Sequence, residues 1–175
     1  AKNAETFGVE LDVKKNLDFI GLRGLSFVCN AAYIYSRVRF EEGAPERDRP
    51  LAGQSPYLVN AGFFYQYDDK GISASLLYNR IGKRIESVGV PMQDQNEDIP
   101  DIYEMPRNSL DLTFSKKIGK AVEIKAGIQD MLNSKIEYKQ FVKLTDQNGG
   151  KREREQLVRS YRPGVDINVG VSLKF

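Results

Sequence analysis

From Tyr161 to Phe175, the last residue, apolar and polar side chains alternate without a break. Tyr161, Pro163, Val165, Ile167, Val169, Val171, Leu173 and Phe175 fall on one parity; Arg162, Gly164, Asp166, Asn168, Gly170, Ser172 and Lys174 fall on the other. A helix, with 3.6 residues per turn, would scatter this pattern around its axis, whereas a strand, with a period of two, gathers it on one face. A chain built on such strands has two ways to satisfy the apolar face. In a soluble sandwich that face meets a second layer of the same protein. In an outer-membrane barrel it meets lipid, and the polar face lines a wet interior. The alternation alone leaves both open.

Six further extended segments precede this one. Thr6 to Lys14 sets Phe7, Val9, Leu11 and Val13 against Thr6, Gly8, Glu10 and Asp12. Leu25 to Phe40 carries Leu25, Phe27, Cys29, Ala31, Tyr33 and Tyr35, then Arg37 and Arg39 on the same face. Pro56 to Asp68 carries Tyr57, Val59, Ala61, Phe63, Tyr65 and Tyr67. Ile72 to Ile85 carries Ile72, Ala74, Leu76 and Tyr78, with Arg80 and Arg84 continuing that face. Ser109 to Lys116 opposes Leu110, Leu112 and Phe114 to polar residues. The stretch from Ala121 opposes Val122, Ile124, Ala126 and Ile128 to Glu123, Lys125, Gly127 and Gln129, then runs on through a kink at Met131–Asn133 towards Phe141. The expected fold is all-β: an antiparallel up-and-down meander of about seven strands spanning 1–175 as a single segment.

Connections alternate in length. Asp68-Asp-Lys-Gly71, Ile118-Gly-Lys120 and Asn16 to Gly24 are short, and Gly71 supplies the left-handed residue that a tight turn needs. Glu41 to Ser55, Gly89 to Asn108 and Lys143 to Ser160 are long, polar and expected to be loops. Short turns at one end and long loops at the other are the asymmetry of outer-membrane barrels. The apolar faces also end as a membrane wall would require, with Tyr35 and Tyr78 just before Arg37 and Arg80, where an interfacial girdle belongs. No apolar run approaches the ~18 residues of a membrane-spanning helix, a test that alternating strands escape.

Read together, five stretches resemble the C-terminal end of a TonB-dependent outer-membrane receptor, most strongly its Bacteroidetes branch. They are Ser55-Pro-Tyr-Leu-Val-Asn-Ala-Gly62, Tyr78-Asn-Arg-Ile-Gly-Lys-Arg84, Pro106-Arg-Asn-Ser-Leu-Asp-Leu112, Ile124-Lys-Ala-Gly-Ile-Gln-Asp-Met-Leu-Asn133 and the closing strand with its terminal Phe175. The likeness covers about Glu5 to Phe175. It implies a 22-stranded barrel plugged by an N-terminal domain, working in the outer membrane of a Gram-negative bacterium and driven through TonB to import a nutrient. This chain has neither plug nor TonB-contacting segment, so it is expected to be the C-terminal portion of a larger transmembrane barrel. The implied partners are outer-membrane lipid and lipopolysaccharide, the barrel assembly machinery, TonB through the parent's N-terminal region, and a substrate-capturing surface lipoprotein. Tyr161, Val165, Ile167, Val169, Val171, Leu173 and Phe175 then read as an assembly signal, recognised by strand addition at a sheet edge.

Among candidate ligand contacts, Asn79 faces the polar side, while Arg80, Lys83 and Arg84 offer a cationic path for an acidic substrate; satisfaction by neighbouring strands or lipid phosphates is the plainer reading. Asn60, Gln66, Asp111 and Gln129 share the polar wall with Asn79. The charged run Gly149 to Arg159 reads as a solvated loop tip, with contact to lipopolysaccharide phosphates as its sharper alternative. Asp94 to Asp98 matches a calcium loop in composition only, lacking its Gly and closing Glu, so no metal is expected. The chain has no histidine, no Gly-x-Ser-x-Gly and one cysteine, Cys29, so catalysis is not expected and no cofactor is called for. A net charge of only +2 offers no footprint for nucleic acid. Two other readings stand beside the transporter: a small structural or adhesive outer-membrane barrel, and a soluble antiparallel β-barrel that binds an apolar ligand or a partner.

Overall fold

The computed structural model describes residues 1–92, 98–145 and 151–173. Its strands, in chain order, are β1 (Asn3–Asn16), β2 (Leu25–Arg39), β3 (Tyr57–Tyr67), β4 (Ile72–Ile81), β5 (Arg84–Ser87), β6 (Ile102–Glu104), β7 (Arg107–Ile118), β8 (Val122–Gln129), β9 (Ile136–Thr145), β10 (Lys151–Tyr161) and β11 (Asp166–Leu173). Among the described residues the helical content is two single turns of 3-10 helix, Asp18–Ile20 and Asp68–Lys70. Seven strands form one antiparallel sheet in the order β1-β2-β3-β4-β7-β8-β11. The expected all-β, seven-stranded antiparallel meander is what the chain forms.

A second sheet, ordered β10-β9-β6-β5, accompanies it. It grows from the same strands. After two residues β4 resumes as β5, β6 leads into β7, β8 resumes as β9, and β10 leads into β11, so the second sheet repeats the neighbour order of the first. This corrects four expectations. The strand expected over Ile72–Ile85 is broken at Gly82 and Lys83. Gly89–Asn108 holds β6 and the start of β7. Lys143–Ser160 is for the most part strand, and the charged run up to Arg159 lies in β10, not at a loop tip. The expected terminal strand is also two strands: Tyr161 ends β10, Arg162–Val165 make the bend, and β11 begins at Asp166.

The turns explain where the main sheet reverses. Gly71 has φ +58°, and a Cβ there would sit 2.9 Å from the Cβ of Lys117, so both conformation and space call for glycine. Its N–H donates to Asp68 O at 2.9 Å. The kink expected at Met131–Asn133 is present. Asp130 (φ 51°) and Asn133 (φ 43°) take left-handed conformations, which short polar side chains tolerate best. Neighbouring strands lock it: Met131 N–H donates to Leu110 O (2.8 Å), Asp130 N–H to Asp111 Oδ1 (2.8 Å), Gly164 N–H to Asn133 Oδ1 (3.1 Å), and Arg162 Nη1 to Asn133 O (2.6 Å).

The segment before β3 joins the two sheets. Arg49 bridges to Val38, Leu51 N–H donates to Ser36 Oγ, and Ile34 N–H donates to Pro56 O, all along the far half of β2. On its other side Gly53 N–H donates to Ile85 O at 2.8 Å. The outer edge of β5 is thereby covered, which leaves Ile85 only 1% exposed. The two ends of the main sheet, β1 and β11, have no second neighbour among the described strands.

Candidate functional site

The main sheet has one apolar and one polar face, and the register shows how each is laid out. On the apolar face Phe27, Phe63, Leu76, Leu112, Ile128 and Ile167 stand level across six strands. Phe7 stacks on Tyr35 at 4.8 Å and Phe27 meets Phe63 at 5.3 Å. These rings touch along the sheet, and among the described residues no second layer covers this face: Phe63 is 45% exposed, Val9 74% and Val169 73%. The polar face is a ladder of paired side chains. Asn79 donates to Asn60, Ser75 and Thr113 share a hydrogen bond at 2.6 Å, and Ser73 and Ser115 share one at 3.0 Å.

The apolar band runs obliquely. At the turn end of β1 it stops at Lys15, level with Phe27 and so with Phe63. On β7 it meets its first charge at Lys116, level with Ile72 and Tyr67, four residues on from Phe63. On β8 and β11 it reaches Val122 and Leu173, one row further still. The loop-end border slips the same way. Glu5 and Arg37 face each other there, but Arg80 and Asn108 are level with Val59 and Ala31, six residues short of Arg37 on β2. Between β1 and β7, four strand steps apart, each border moves four to six residues in one direction. Strands about 4.8 Å apart, rising about 3.4 Å per residue and tilted about 35–45°, must shift a level band by about 1 to 1.4 residues per strand.

The sequence-predicted contact residues divide between faces and sheets. Asn79 is on the polar face. Arg80 is on the apolar face, where Nη1 donates to Asn108 Oδ1 at 2.7 Å and Nε to Tyr57 Oη at 3.3 Å. Lys83 and Arg84 meet the second sheet and line, with Ser36, Gln54, Ile85 and Tyr103, a half-open 190 Å³ pocket between the far half of β2 and β5. The Lys83 ammonium lies 4.1 Å from the ring centre of Tyr103 and 3.6 Å from that of Phe141. Burial pulls its pKa below the ordinary lysine value, against the opposing charges of Glu153 and Glu155. Burial, with Asp101 beside it, pushes the Tyr103 hydroxyl up. Arg84 clasps one carboxylate oxygen of Glu104 through Nε (2.9 Å) and Nη2 (2.7 Å). The structure thus brings Lys83 and Arg84 together and leaves Asn79 and Arg80 on opposite faces.

Of the residues read as an assembly signal, Ile167, Val169, Val171 and Leu173 line one face of the edge strand β11. Tyr161 belongs to β10, Val165 to the bend, and Phe175 lies outside the described residues, as do 94–97 of the acidic stretch and Gly149 and Gly150 of the charged run. The sequence did not single out the ion pair between Arg107 and Asp130, which ties β7 to the kink and, with Gln129 and Gly164, borders a 280 Å³ cleft. Its only signal was membership of two quoted motifs. Comparison with protein-family models, with curated proteins and with solved structures gave no match.

Proposed function

We propose that this chain is part of the wall of a TonB-dependent transport barrel in the outer membrane of a Gram-negative bacterium, taking up a nutrient together with a plug carried elsewhere in the parent protein. The observation that carries this reading is the oblique apolar band. Its slip of one to 1.5 residues per strand is what tilted strands need to present a level belt to a bilayer. The exposure of its large side chains supports the same reading. The unpaired edges at β1 and β11 favour a section of a larger barrel over a small self-closed one. In this reading the polar ladder faces plug and substrate, and the second sheet stands outside the membrane with the Lys83–Arg84 pocket opening to arriving substrate. Edge strand β11 is then what the assembly machinery engages and what closes against the barrel's first strand. The surface lipoprotein that hands over substrate would dock at the loop end.

Gel mobility with and without boiling tests this on the full-length gene product in detergent, beside this chain alone. A compact form that requires detergent and unfolds on boiling is expected of the full-length protein. If this chain instead stays monodisperse and β-rich in plain buffer, with its tyrosines and phenylalanines buried, the membrane reading fails and a soluble β-barrel takes its place.

A further inference from the structure

Three arginines stand at the loop-end border of the apolar face, and two are neutralised: Arg37 pairs with Asp48 and Arg39 with Glu5, each at 3.0 Å. Arg80 has no carboxylate partner among the described residues. It is also the one set deepest in the band, level with Ala31 and Val59. Its surroundings hold it in place without cancelling its charge. Asn108 Oδ1 accepts from Arg80 Nη1 and, at 2.8 Å, from Tyr78 Oη. The Tyr57 ring lies 5.9 Å from the guanidinium, and Tyr57 Oη accepts from Arg80 Nε. Gly82 makes room for that ring: a Cβ there would lie 2.8 Å from it.

On the reading of this face as membrane wall, we infer that Arg80, framed by Tyr57, Tyr78 and Asn108, binds the phosphate of an anionic lipid headgroup. A guanidinium at an apolar border needs an anion, because the low-dielectric side withholds the hydration that would otherwise stabilise it. Each of the other two border arginines is given a carboxylate by the protein. Arg80 is given only neutral acceptors, which orient its fork and leave the remaining N–H groups for an outside partner. Phosphate suits that fork, since two parallel N–H···O bonds match its oxygens. Tyrosines one row to either side of it, Tyr57 towards the loops and Tyr78 towards the turns, are the side chains expected where headgroups begin.

The test uses the full-length protein in detergent, titrated with diphosphorylated lipid A, with lipid A from which both phosphates have been removed, and with inorganic phosphate, bound lipid being read by native mass spectrometry. The expected result is retention of phosphorylated lipid A, with roughly tenfold weaker retention of the dephosphorylated form and of phosphorylated lipid by R80Q, and no change in R37Q. R80K keeps charge but loses the fork and should fall between. Equal retention of both lipids by the unaltered protein overturns the inference even if R80Q fails to assemble. Competition by inorganic phosphate at concentrations near those of the lipid would make the site a free-anion site and overturn the lipid assignment. A protein that assembles as a heat-modifiable barrel but binds lipid without regard to Arg80 sinks this inference alone; one that never requires detergent sinks the wall reading beneath it.

Discussion

The two sheets are made from continuous lengths of the same chain, yet they are stabilised in opposite ways. Among the described residues the four buried apolar ones, Val38, Ile85, Ile136 and Tyr138, lie in the second sheet or in the far half of β2, and elsewhere along its strands the main sheet buries only glycines. The main sheet is held by ladder hydrogen bonds, small polar pairs on one face and stacked or tilted ring pairs on the other. The second sheet has a small core, a Lys83 ammonium held over two rings, and ion pairs such as Arg84–Glu104 and Lys139–Glu155. A sheet in water must hide its apolar residues within the protein. A sheet whose apolar face meets lipid has no such need, and there the pattern passes from core to wall.

The largest way to break that contrast is Ile85→Ala. Ile85 is 1% exposed, and truncating a buried side chain of this size costs about 2–5 kcal/mol. Hydrogen exchange on the assembled protein should show lost protection in β5, β6 and β9 with the main sheet unchanged; an even loss throughout would mean that the two sheets share one core. Next comes a pair of charge insertions. Leu76, mid-band on the apolar face, is 38% exposed, and Leu157 on β10 is 56% exposed. If water meets both, arginine is tolerated at both. If lipid meets Leu76, L76R destabilises refolding into lipid vesicles by about 2–4 kcal/mol, while L157R stays within about 0.5 kcal/mol, as exposed sites do.

The same contrast decides what was legible in the sequence. The main sheet could be read because one of its faces is apolar and the other polar, which writes a period of two into β1, β2, β3, β4, β7, β8 and β11. The short turns and the kink at Met131–Asn133 were legible from Gly, Asn and Asp, whose backbone preferences are local. The second sheet was not legible. Lys151–Arg159 has charge on both parities and no apolar alternation, so it read as loop; it is a strand because β9 offers a ladder for it to pair with. Ile102–Glu104 is too short to show any period. Pairs such as Arg84–Glu104 and Arg107–Asp130 depend on register between strands some twenty residues apart, which no single-sequence pattern carries.

Within the second sheet a smaller effect is expected at the Arg84–Glu104 pair. Glu104→Gln removes the charge that accepts both guanidinium N–H groups. Arg84 remains about a third exposed and can still reach water, so a cost of about 1 kcal/mol is expected, the lower end for a charge-assisted bond. Thermal melts in low and high salt sharpen it: the wild type should lose stability with salt and E104Q should not. A salt response shared by both would place the stabilisation elsewhere.

The smallest effect, and the most particular, is the pH response of Lys83. Its folded-state pKa is lowered from 10.5, chiefly by burial. Below that lowered value the lysine is charged in both states, and burying the charge weakens the fold. As pH rises from there towards 10.5, the folded state sheds the proton before the unfolded state does, so stability increases. Tyr103 acts in reverse. Its pKa is raised from 10.0, so the stability it gives by staying neutral is lost as pH climbs above that value. Hydrogen-exchange protection of β5 and β9 should therefore rise towards about pH 10 and fall beyond it. K83M keeps an apolar stem against Tyr103 and Phe141 and has no charge to bury, so it should start higher near neutral pH and lose the rising limb while keeping the fall. If K83M retains the rise, the ammonium between the two rings is not the group that titrates, and the rings hold Lys83 as water would.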